Sequence, residues 1–549
     1  MRNFDWIVLI VTLAAIIAYG IYKSRTGKNL DGYFLSDRNM PWYLILLSIM
    51  GTQASAITFL SAPGQAYTDG MRFVQYYFGL PVAMILICIF FVPVFNHLKV
   101  YTAYEFLEKR FDLKTRTLTS FLFQVSRGLS TGISVYAPSL ILSSLLNWNI
   151  YYTNIVMGGL LIIYTVTGGA RAVAHTQKLQ LIIVFAGMFL AGYFVVHLMP
   201  ANLNFKDALL IGGKSGKMNI ITSGTGGFDW KDKYNIWSGI IGGLFLALSY
   251  FGTDHSQVGR YLTAKNNRAG KMGLLMNGIV KVPMQFFILL LGVLVFAFYQ
   301  FHKAPVYFNE QQAFRAKHTL YKDSLITLEN EYASILPTDI IQADKIRSEY
   351  KKLLSKALPD EEVNDTNYIF LRFVIDYLPA GLVGLLIAVI FISAWGSIAA
   401  ALNALAACTV VDIHKRFFKR ETGHHFDYRL SQLYTLAWGL FCIAVAEFAS
   451  NLGNSLIETV NILGSLFYGV ILGIFLVAFW FKNIKANAIF YSSVISEILV
   501  ILIYKMDIIS FLWLNVIGAL LVIIFGYALQ LVVRGSDKNT TSLPSNPPH

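Results

Sequence analysis

Charged residues are scarce in this 549-residue chain: Asp, Glu, Lys and Arg together make up 14% of it, whereas hydrophobic residues make up 56%. Soluble domains carry roughly 25% charged residues. The charges lie mostly between apolar runs of about 20 residues, which is the length that crosses the hydrocarbon core of a bilayer. The composition therefore excludes a soluble multidomain protein and predicts an all-α polytopic membrane protein.

Cysteine is also rare. The three cysteines, Cys88, Cys408 and Cys442, all lie within apolar runs. No pair of them has metal-ligand spacing, and nothing about them indicates a disulfide framework. Buried free cysteines behave as small hydrophobic residues, so we expect no redox or metal chemistry from them.

The apolar runs predict 13 membrane spans. Their approximate limits are 4–22, 42–62, 74–97, 117–146, 150–167, 175–198, 236–253, 272–300, 372–411, 430–449, 457–481, 486–504 and 508–533. The first run has no A-x-A-like cleavage site and its basic residues follow it, so we interpret it as a retained helix and not a signal peptide.

Lys and Arg are concentrated in the loops that follow odd-numbered spans. Examples are Lys23 and Arg25 after the first span, Arg110 after the third and Lys415 after the ninth. By the positive-inside rule these loops are cytoplasmic, with the N-terminus outside and the C-terminus inside. This placement explains the net charge of +13 without nucleic acid, and it predicts a multi-pass protein of the plasma or inner membrane.

Two of the predicted outer loops are long, 199–235 and 301–371. In the second loop, apolar residues recur at helical spacing between Lys317 and Lys356, which predicts helices lying over the outer face. A solvated cover is the simpler interpretation; a partner-binding surface is the alternative. We infer no obligate protein partner, and the tail 534–549 has a disordered composition.

One predicted span has an unusual composition. The stretch from Gly51 to Gly64 is rich in small and polar residues, and a second such stretch runs from Ser249 to Ser256. In a bilayer, irregular backbone persists only where it is buried in protein or lines a cavity. Both stretches therefore predict interrupted helices that bind something.

The two interruptions lie five spans apart, in spans 2 and 7. Interrupted helices at matching positions of two halves indicate an inverted-repeat transporter. The predicted units are an extra helix in 1–35, repeats in 36–198 and 236–481 separated by the loop 199–235, two final helices in 482–533, and the tail 534–549.

A third polar patch runs from Ser393 to Ala400 in the ninth span. Small residues allow close helix packing, and serine hydroxyls supply oxygen ligands. Packing alone would explain an isolated patch; together with two broken helices it favours a binding site. Free carbonyls suit a monovalent cation, and free amides suit an anionic or hydroxylated solute.

Several short motifs follow one another along the chain. They are the Gly51–Gly64 stretch, Ala66-Tyr67-Thr68-Asp69-Gly70, Tyr104-Glu105-Phe106-Leu107-Glu108-Lys109-Arg110-Phe111, Thr167-Gly168-Gly169-Ala170-Arg171-Ala172-Val173, Arg260-Tyr261-Leu262, Leu402-Asn403-Ala404 and Asp412-Ile413-His414-Lys415. In their order and spacing they resemble the sodium/solute symporters, which are relatives of the sodium–glucose cotransporters, and the likeness covers nearly the whole chain. The spacing of Pro63, Tyr67 and Gly70 is closer to the iodide, monocarboxylate and vitamin branch and to bacterial sialic-acid relatives than to the sugar branch.

The resemblance implies a core of two inverted five-helix repeats, as in leucine-transporter-like folds, and a sodium site between the first and eighth core helices. The matching positions are Gly51, Ala54, Ser393, Gly396 and Ser397. Many relatives have a second hydroxyl where this chain has Gly396, so Ser397 is left as the main side-chain ligand. Sodium is the only ion or cofactor expected.

Some relatives carry a further sodium site built from an Asp and two hydroxyls. The matching residues here are Gln177, Ala399 and Ala400, which offer neither a carboxylate nor a hydroxyl. The resemblance therefore predicts one sodium ion per transport cycle.

The resemblance also implies a solute site against the same broken helix. The matching residues can hydrogen-bond hydroxyls or a carboxylate; they are Gln53, Ser55, Thr58, Gln75, Tyr77, Asp254, His255, Lys281 and Asn461. Gln53 and Tyr77 replace residues that sugar-binding relatives use, which argues against a hexose. Arg127 either holds a substrate carboxylate or snorkels or pairs with a backbone break.

The predicted function is sodium-coupled import of a small organic solute, such as a sugar, a sugar acid or another organic anion, by alternating access. Proton coupling is the nearest alternative, and a channel is a more distant one. An enzyme is disfavoured because Asp254 and His255 are adjacent, and adjacent helical side chains point about 100° apart.

Overall fold

The structure is a computed structural model that describes residues 1–23, 38–98, 100–222, 229–336, 339–418, 424–449 and 455–539. Side chains at 17, 20–23, 167–175, 424–425 and 533–539 are also outside the description. Within these limits the chain is helical, with no strand beyond an isolated bridge between Met40 and Ala264.

The helices of the first half begin with a predominantly apolar helix. They are α1 (Asn3–Lys23), α2 (Trp42–Gln53), α3 (Ala56–Asp69), a 3-10 helix (Gly70–Tyr77), α4 (Leu80–Leu86, continued by a π turn, Ile87–Phe91, and by Val92–Leu98), α5 (Glu105–Arg110), α6 (Leu113–Leu146), α7 (Ile150–His197) and α8 (Phe205–Lys214).

The second half starts with a π turn, Ser238–Gly242. Its helices are α9 (Gly243–Gly252), α10 (His255–Leu262), α11 (Asn267–Tyr299), α12 (Glu310–Ala316), α13 (Lys322–Ile335), α14 (Ile340–Ala357), α15 (Thr366–Tyr377), α16 (Leu382–Cys408, continued by a π turn, Thr409–His414, and by Lys415–Phe417), α17 (His424–Phe448), α18 (Leu456–Trp480), α19 (Ala486–Lys505) and α20 (Phe511–Asn539).

The apolar helices match the predicted spans. In the described residues, nine helices are long and apolar enough to cross a membrane, and four shorter apolar helices accompany them, thirteen in all. Both predicted interruptions are present: helix α2 ends at Gln53 before α3 begins at Ala56, and α9 ends at Gly252 before α10 begins at His255.

Helix α7 contains two predicted spans, although its backbone is helical from Ile150 to His197. A straight helix would separate residues twelve positions apart by about 18 Å. The Tyr164 hydroxyl nevertheless lies 3.0 Å from the Thr176 hydroxyl, so the helix is bent between them. The first arm packs against α17, where Gln432 donates to the Val166 carbonyl (3.2 Å), and the second arm packs against α16.

The predicted ninth span, 372–411, is wrong as a single element. The helix starting at Thr366 ends at Tyr377, and α16 starts at Leu382. Gly381 between them has φ +89°, a left-handed conformation that favours glycine. Proline at 379 and this glycine turn the chain, so α15 is a separate helix lying on the end of the bundle.

The first broken helix packs parallel to α11. A Cβ at Gly273 would lie 2.7 Å from the Ile45 side chain, and a Cβ at Gly292 would lie 2.1 Å from the Pro63 carbonyl oxygen. Glycine at these positions therefore allows backbone approach that any side chain would prevent. This register places the middle of α11, around Lys281, beside the break between α2 and α3.

The loop segments 199–237 and 301–365 cover one face of the molecule, here called the loop face. The helices predicted between Lys317 and Lys356 are present as α13 and α14. The Arg347 guanidinium lies over the Tyr67 ring of α3, 5.5 Å from its centroid. The second long segment therefore rests directly on the C-terminal end of α3.

A buried ion cluster fastens this segment. Asp365 accepts from Arg347 (2.9 Å) and from the Phe308 amide (2.9 Å), and the Lys351 ammonium lies 2.7 Å away. Burial alone would raise the pKa of the Asp365 carboxyl, but the Arg347 and Lys351 charges outweigh it and hold the pKa below its ordinary value. The carboxylate is therefore ionised at neutral pH and ties α14 to the start of α15.

Candidate functional site

The first break frees backbone groups at the centre of the bundle. The Ser55 amide donates to the Gln53 carbonyl (3.1 Å), whereas in a continuous helix it would donate to the Gly51 carbonyl. The chain at Ala54 leaves helical geometry, with φ −83° and ψ 79°. The Gly51 carbonyl thereby loses its helical donor and can accept a cation.

Helix α16 packs against α2 and brings hydroxyl groups to this break. The Ser397 hydroxyl donates to the carbonyls of Ser393 and Ala394 (3.0 Å each), and the Ser393 hydroxyl donates to Val389 (2.8 Å). A hydroxyl that donates once retains lone pairs for a ligand. The donor set of carbonyls and one hydroxyl fits a hard monovalent cation.

Gln177, from the second arm of α7, bridges the two helices. It accepts from Ser48 (2.9 Å) and donates to Thr52 (3.3 Å) and to the Gly396 carbonyl (3.2 Å), and it is fully buried. A Cβ at Gly51 would lie 2.8 Å from Gln177 Cγ. The absence of a side chain at Gly51 therefore makes room for this amide.

Gly396 is matched to a glutamine in the same way. A Cβ there would lie 2.5 Å from Gln180 Oε1 and 3.3 Å from Gln177 Cγ. A serine or threonine side chain at this position could not fit without moving Gln180. Ala399 and Ala400 on the same helix are fully buried and contribute no oxygen from their side chains.

Helix α11 presents a buried polar stripe toward the break. Lys281 is 1% exposed and has no ion pair among the described residues; its ammonium lies over the Tyr77 ring, 5.5 Å from the centroid. One helical turn after Lys281, the amide oxygen and nitrogen of Gln285 are both buried without a hydrogen-bond partner. One turn before Lys281, Asn277 Oδ1 is also buried without a partner. Across from this stripe, Gln53 Oε1 is also buried without a partner.

The second break is occupied by side chains. Asp254 caps α10 by accepting from the Ser256 amide (2.8 Å) and hydroxyl (2.6 Å). Its other oxygen forms an ion pair with Arg127 and accepts from the Tyr468 hydroxyl (2.8 Å). Arg127 and Asp254, both predicted to contact solute, therefore neutralise each other in this conformation.

The remaining predicted residues divide into two groups. Asn461 lies near the 3-10 helix, accepting from the Tyr76 hydroxyl (3.0 Å), and its Nδ2 is buried without a partner. Gln75 instead holds the loop face together: its amide donates to Thr222 and to the Tyr234 carbonyl (3.0 Å each). The Gln75 side chain is thus already bonded to protein in this conformation.

Ser55, Thr58 and His255 flank the two breaks. Ser55 precedes α3 and its carbonyl accepts from the Thr58 amide (3.0 Å). His255 begins α10, is 4% exposed, and its Nδ1 is buried without a partner.

Sequence reasoning missed several residues of this region. Tyr468 closes the Arg127–Asp254 pair, Thr52 shares the Gln177 amide, and Gln285 extends the polar stripe. Gln285 could have been found from its spacing of four residues from Lys281, which places both on one helix face. Tyr468 had no such signal, because a tyrosine in an apolar span resembles any packing aromatic.

Helix α2, before the first break, packs against α10, after the second break, and interrupted helices at matching positions of two halves are typical of multi-pass membrane transporters with a five-plus-five repeat core. A model of the sodium:solute symporter family matches residues 33–330 and 350–496. The chain belongs to the sodium:solute symporter family, whose members couple solute transport to sodium.

Curated relatives match over most of their own length. The chain is 26% identical to the sodium/sialic acid symporter NanT of Aliivibrio fischeri over 527 residues, covering 95% of this chain and 92% of that protein. It is 25% identical to the sodium/sialic acid symporter SiaT of Proteus mirabilis, covering 95% and 94%. It is 25% identical to human sodium-coupled monocarboxylate transporter 1, covering 86% and 68%.

A solved structure has the same fold. It is a substrate-bound outward-open state of a Na+-coupled sialic acid symporter, with a TM-score of 0.78, 23% identity, and coverage of 97% of this chain and 98% of that one. The predicted all-α, leucine-transporter-like fold class is confirmed by this likeness, and the predicted family is confirmed by the family model.

Proposed function

We propose that this protein imports a small organic anion together with sodium by alternating access between the repeats 36–198 and 236–481. The observation that carries the proposal is the first break, where the Gly51 carbonyl loses its helical donor next to Gln177, which bonds to the Gly396 carbonyl of α16. Sodium would bind to the carbonyls of Gly51, Ala54, Ser393 and Gly396 and to the Ser397 hydroxyl.

The charge balance supports an anionic solute. Arg127 and Asp254 cancel each other, whereas the Lys281 ammonium has no counter-ion among the described residues. A buried unpaired cation is costly, and a solute carboxylate would relieve that cost. The relatives' names also include acids, namely sialic acid and monocarboxylate.

The solute would lie between the breaks. Lys281 would receive its carboxylate, while Gln53, Ser55, Thr58, Tyr77 and Asn461 would bind its other polar groups. His255 would face it from the second repeat. Arg127, Asp254 and Gln75 would take part only after their present partners are exchanged.

One sodium ion per cycle is the expected stoichiometry. Gln177 donates an amide hydrogen to the Gly396 carbonyl, and a neutral amide does not attract a cation as an Asp would. A tenfold sodium gradient contributes about 1.4 kcal/mol, whereas the membrane potential contributes nothing because the solute anion cancels the sodium charge. One sodium ion per monoanion would therefore support about tenfold solute accumulation.

The loop face is proposed to be extracellular, with the N-terminus outside and the C-terminus in the cytoplasm. The support is the charge pattern of the sequence, in which basic loops follow odd-numbered spans. Cysteine labelling of Lys352→Cys, on the exposed side of α14, in intact cells tests this orientation. Labelling by a membrane-impermeant maleimide is expected; labelling only after permeabilisation would reverse the topology.

Proteoliposome uptake tests the function. Radiolabelled sialic acid, lactate and a neutral hexose are offered under an inward sodium gradient, and again with choline replacing sodium at fixed pH. Uptake of an acid that requires sodium and accelerates on trans solute loading is expected. Uptake that follows a proton gradient in choline favours proton coupling, and uptake insensitive to trans solute favours a channel.

The stoichiometry is measured from the reversal of uptake at set sodium and solute gradients and membrane potentials. A ratio of one sodium per monoanion makes transport electroneutral, so an imposed potential is expected to leave the balance point unchanged. A balance point that shifts with potential, indicating two sodium ions, would contradict the single-site proposal.

A further inference from the structure

Helix α19, in the pair that follows the two repeats, carries an acidic residue halfway along its length. Glu497 is 8% exposed, and both of its carboxylate oxygens are buried without a hydrogen-bond partner. The helix Ala486–Lys505 is apolar enough to cross the membrane. Glu497 therefore lies in the hydrocarbon layer and is not accounted for by the sodium site or the solute site.

Small hydroxyl side chains surround it on the buried side of α19. The Ser492 and Ser493 hydroxyls donate to the Ile489 carbonyl (2.9 and 2.6 Å). The Ser496 hydroxyl is buried without a partner, as Glu497 is. Ser493 is one helical turn from Glu497 and lies on the same face.

Among the side chains that the structure describes, none compensates the Glu497 carboxylate with a positive charge. Helix α19 packs against α20, α18 and α6. The ionisable side chains described on these helices either bond elsewhere or lie at exposed or terminal positions. Arg116 pairs with Asp412, and Glu458 pairs with Lys233. Arg127 and Tyr468 both bond to Asp254. No hydrogen bond or ion pair to Glu497 is formed by the remaining ionisable side chains, which are Lys114, Tyr136 and Tyr527 and, on α19 itself, Tyr491, Tyr504 and Lys505.

An ionised carboxylate without a partner at this depth costs several kcal/mol, so the group must bind a positive charge. A hard metal cation takes about six oxygen ligands. The described neighbours offer the two carboxylate oxygens and the Ser493 and Ser496 hydroxyls, which is too few for a metal ion. A proton needs only one oxygen.

We propose that Glu497 is a proton-binding site, protonated at neutral pH, in the helix pair outside the repeats. The neutral carboxylic acid has an O–H donor, and the Ser493 hydroxyl, one turn back on the same helix face, retains a lone pair that can accept it. This proton is resident, and it is distinct from the coupling ion because Glu497 lies on neither broken helix.

Folding then depends on pH through this group. Between neutral and alkaline pH the folded state holds a proton that the unfolded chain has lost, so stability falls as pH rises. Glu497→Gln keeps the shape and a hydrogen-bond donor without an ionisable proton. We expect the variant to lose this part of the pH dependence.

Carbodiimide labelling is the direct test, because dicyclohexylcarbodiimide reacts with protonated carboxyls in apolar surroundings. Purified wild-type protein is labelled at pH 7 in choline and in sodium buffers, and the adduct is located by peptide mass spectrometry. Labelling of Glu497 in both buffers is expected. Absence of labelling there, or protection by sodium in the millimolar range, overturns the proton assignment.

Variants complete the design. Glu458→Gln, which removes a carboxylate already paired with Lys233, is the control and should leave Glu497 labelling unchanged. The melting temperature is then measured from pH 6 to 9 for wild type and Glu497→Gln. A steeper fall for wild type is expected, and parallel curves would contradict the proposal even if the variant were less stable throughout.

Discussion

The two broken helices have similar backbones but opposite chemistry. At the first break the neighbouring charge, Lys281, has no ion pair among the described residues, and the Gln53 amide oxygen is left without a partner. At the second break, Asp254 caps the following helix and is bonded to Arg127 and Tyr468, while the Thr253 carbonyl accepts from Tyr104 (3.0 Å).

The difference teaches that an internal repeat need not duplicate a site. Both halves interrupt a helix at matching positions, but the charged groups of the second break are bonded to each other, and His255 Nδ1 is a polar atom left there without a partner. The charged groups at the second break form a buried ion pair, Arg127 with Asp254, and this pair fixes the relative position of α6, α10 and α18. We therefore interpret the first break as the binding element and the second as a structural joint.

Removing the Asp254 charge from the second break is the strongest test of the difference between the two breaks. Asp254→Asn retains the cap of α10 but leaves the Arg127 guanidinium buried without its counter-ion. Removing one partner of a buried pair costs about 3–5 kcal/mol, so we expect a large fall in melting temperature and loss of uptake. Thermal unfolding in detergent measures this.

The double variant Asp254→Asn with Arg127→Gln is the control for that experiment. It removes both charges, so it should recover most of the lost stability. If Asp254→Asn alone were as stable as wild type, the ion pair would not be a joint, and Arg127 would again be a candidate for the solute carboxylate.

Lys281→Met tests the proposed role of the first break in binding the solute anion. It removes an unpaired charge beside the first break, so we expect stability to be unchanged or higher while uptake of the anion falls by roughly a hundredfold, which corresponds to about 2.7 kcal/mol. Melting temperature and initial uptake rates measure the two effects.

An exposed lysine supplies the matched control. Lys265→Met removes an equal charge near the end of α10 and should change neither quantity. Full uptake by Lys281→Met would remove the charge-balance argument for an anionic solute.

Smaller effects should separate sodium from solute within the first break. Ser397→Ala removes the one side-chain oxygen proposed for sodium. We expect the free energy of sodium binding to weaken by about 1.4 kcal/mol, the size of one hydrogen bond. The half-saturating sodium concentration should therefore rise about tenfold. Thr58→Ala should instead raise the solute KM with little change in sodium dependence. Equal changes of both constants in both variants would show that the two sites cannot be divided as proposed.

The smallest effect is expected on the loop face. Asp365→Asn weakens the attachment of α14, so we expect faster proteolysis of the segment 301–365 with near-normal uptake. Because the folded pKa of Asp365 lies below its ordinary value, its stabilising charge is complete at neutral pH and is lost as pH falls through that depressed pKa. Limited proteolysis from pH 7 to pH 3 should show wild type approaching the variant at the acidic end.

Much of the fold could be predicted because hydropathy and helix interruption are local properties. The polar composition around Gly51 and Gly252 located both breaks within a few residues. The turn at Gly381 was missed because the apolar run continues across it, and only backbone geometry separates α15 from α16. The tail beyond 539 lies outside the described residues, and the helix before it extends to Asn539.

The candidate site was less accessible to sequence reasoning. The order of the spans indicates which polar residues lie near a break. The hydrogen-bond and ion-pair partners of those residues depend on packing between helices that are distant in the sequence. Gln177 was recognised only as a missing carboxylate, whereas the structure makes it a bridge between α2 and α16. Arg127 had two open interpretations, and the partner found for it, Asp254, is 127 residues away in the chain.

The contact between α3 and α15 offers a means of mechanical control. A Cβ at Gly64 would lie 1.9 Å from the Thr366 carbonyl oxygen, so even alanine would act as a wedge between the broken helix and the helix that covers it. Such a wedge would hold the loop face apart without touching any proposed ligand. Gly64→Ala is therefore a rational starting point for trapping one transport state, whether for inhibitor discovery or for capturing the bound solute.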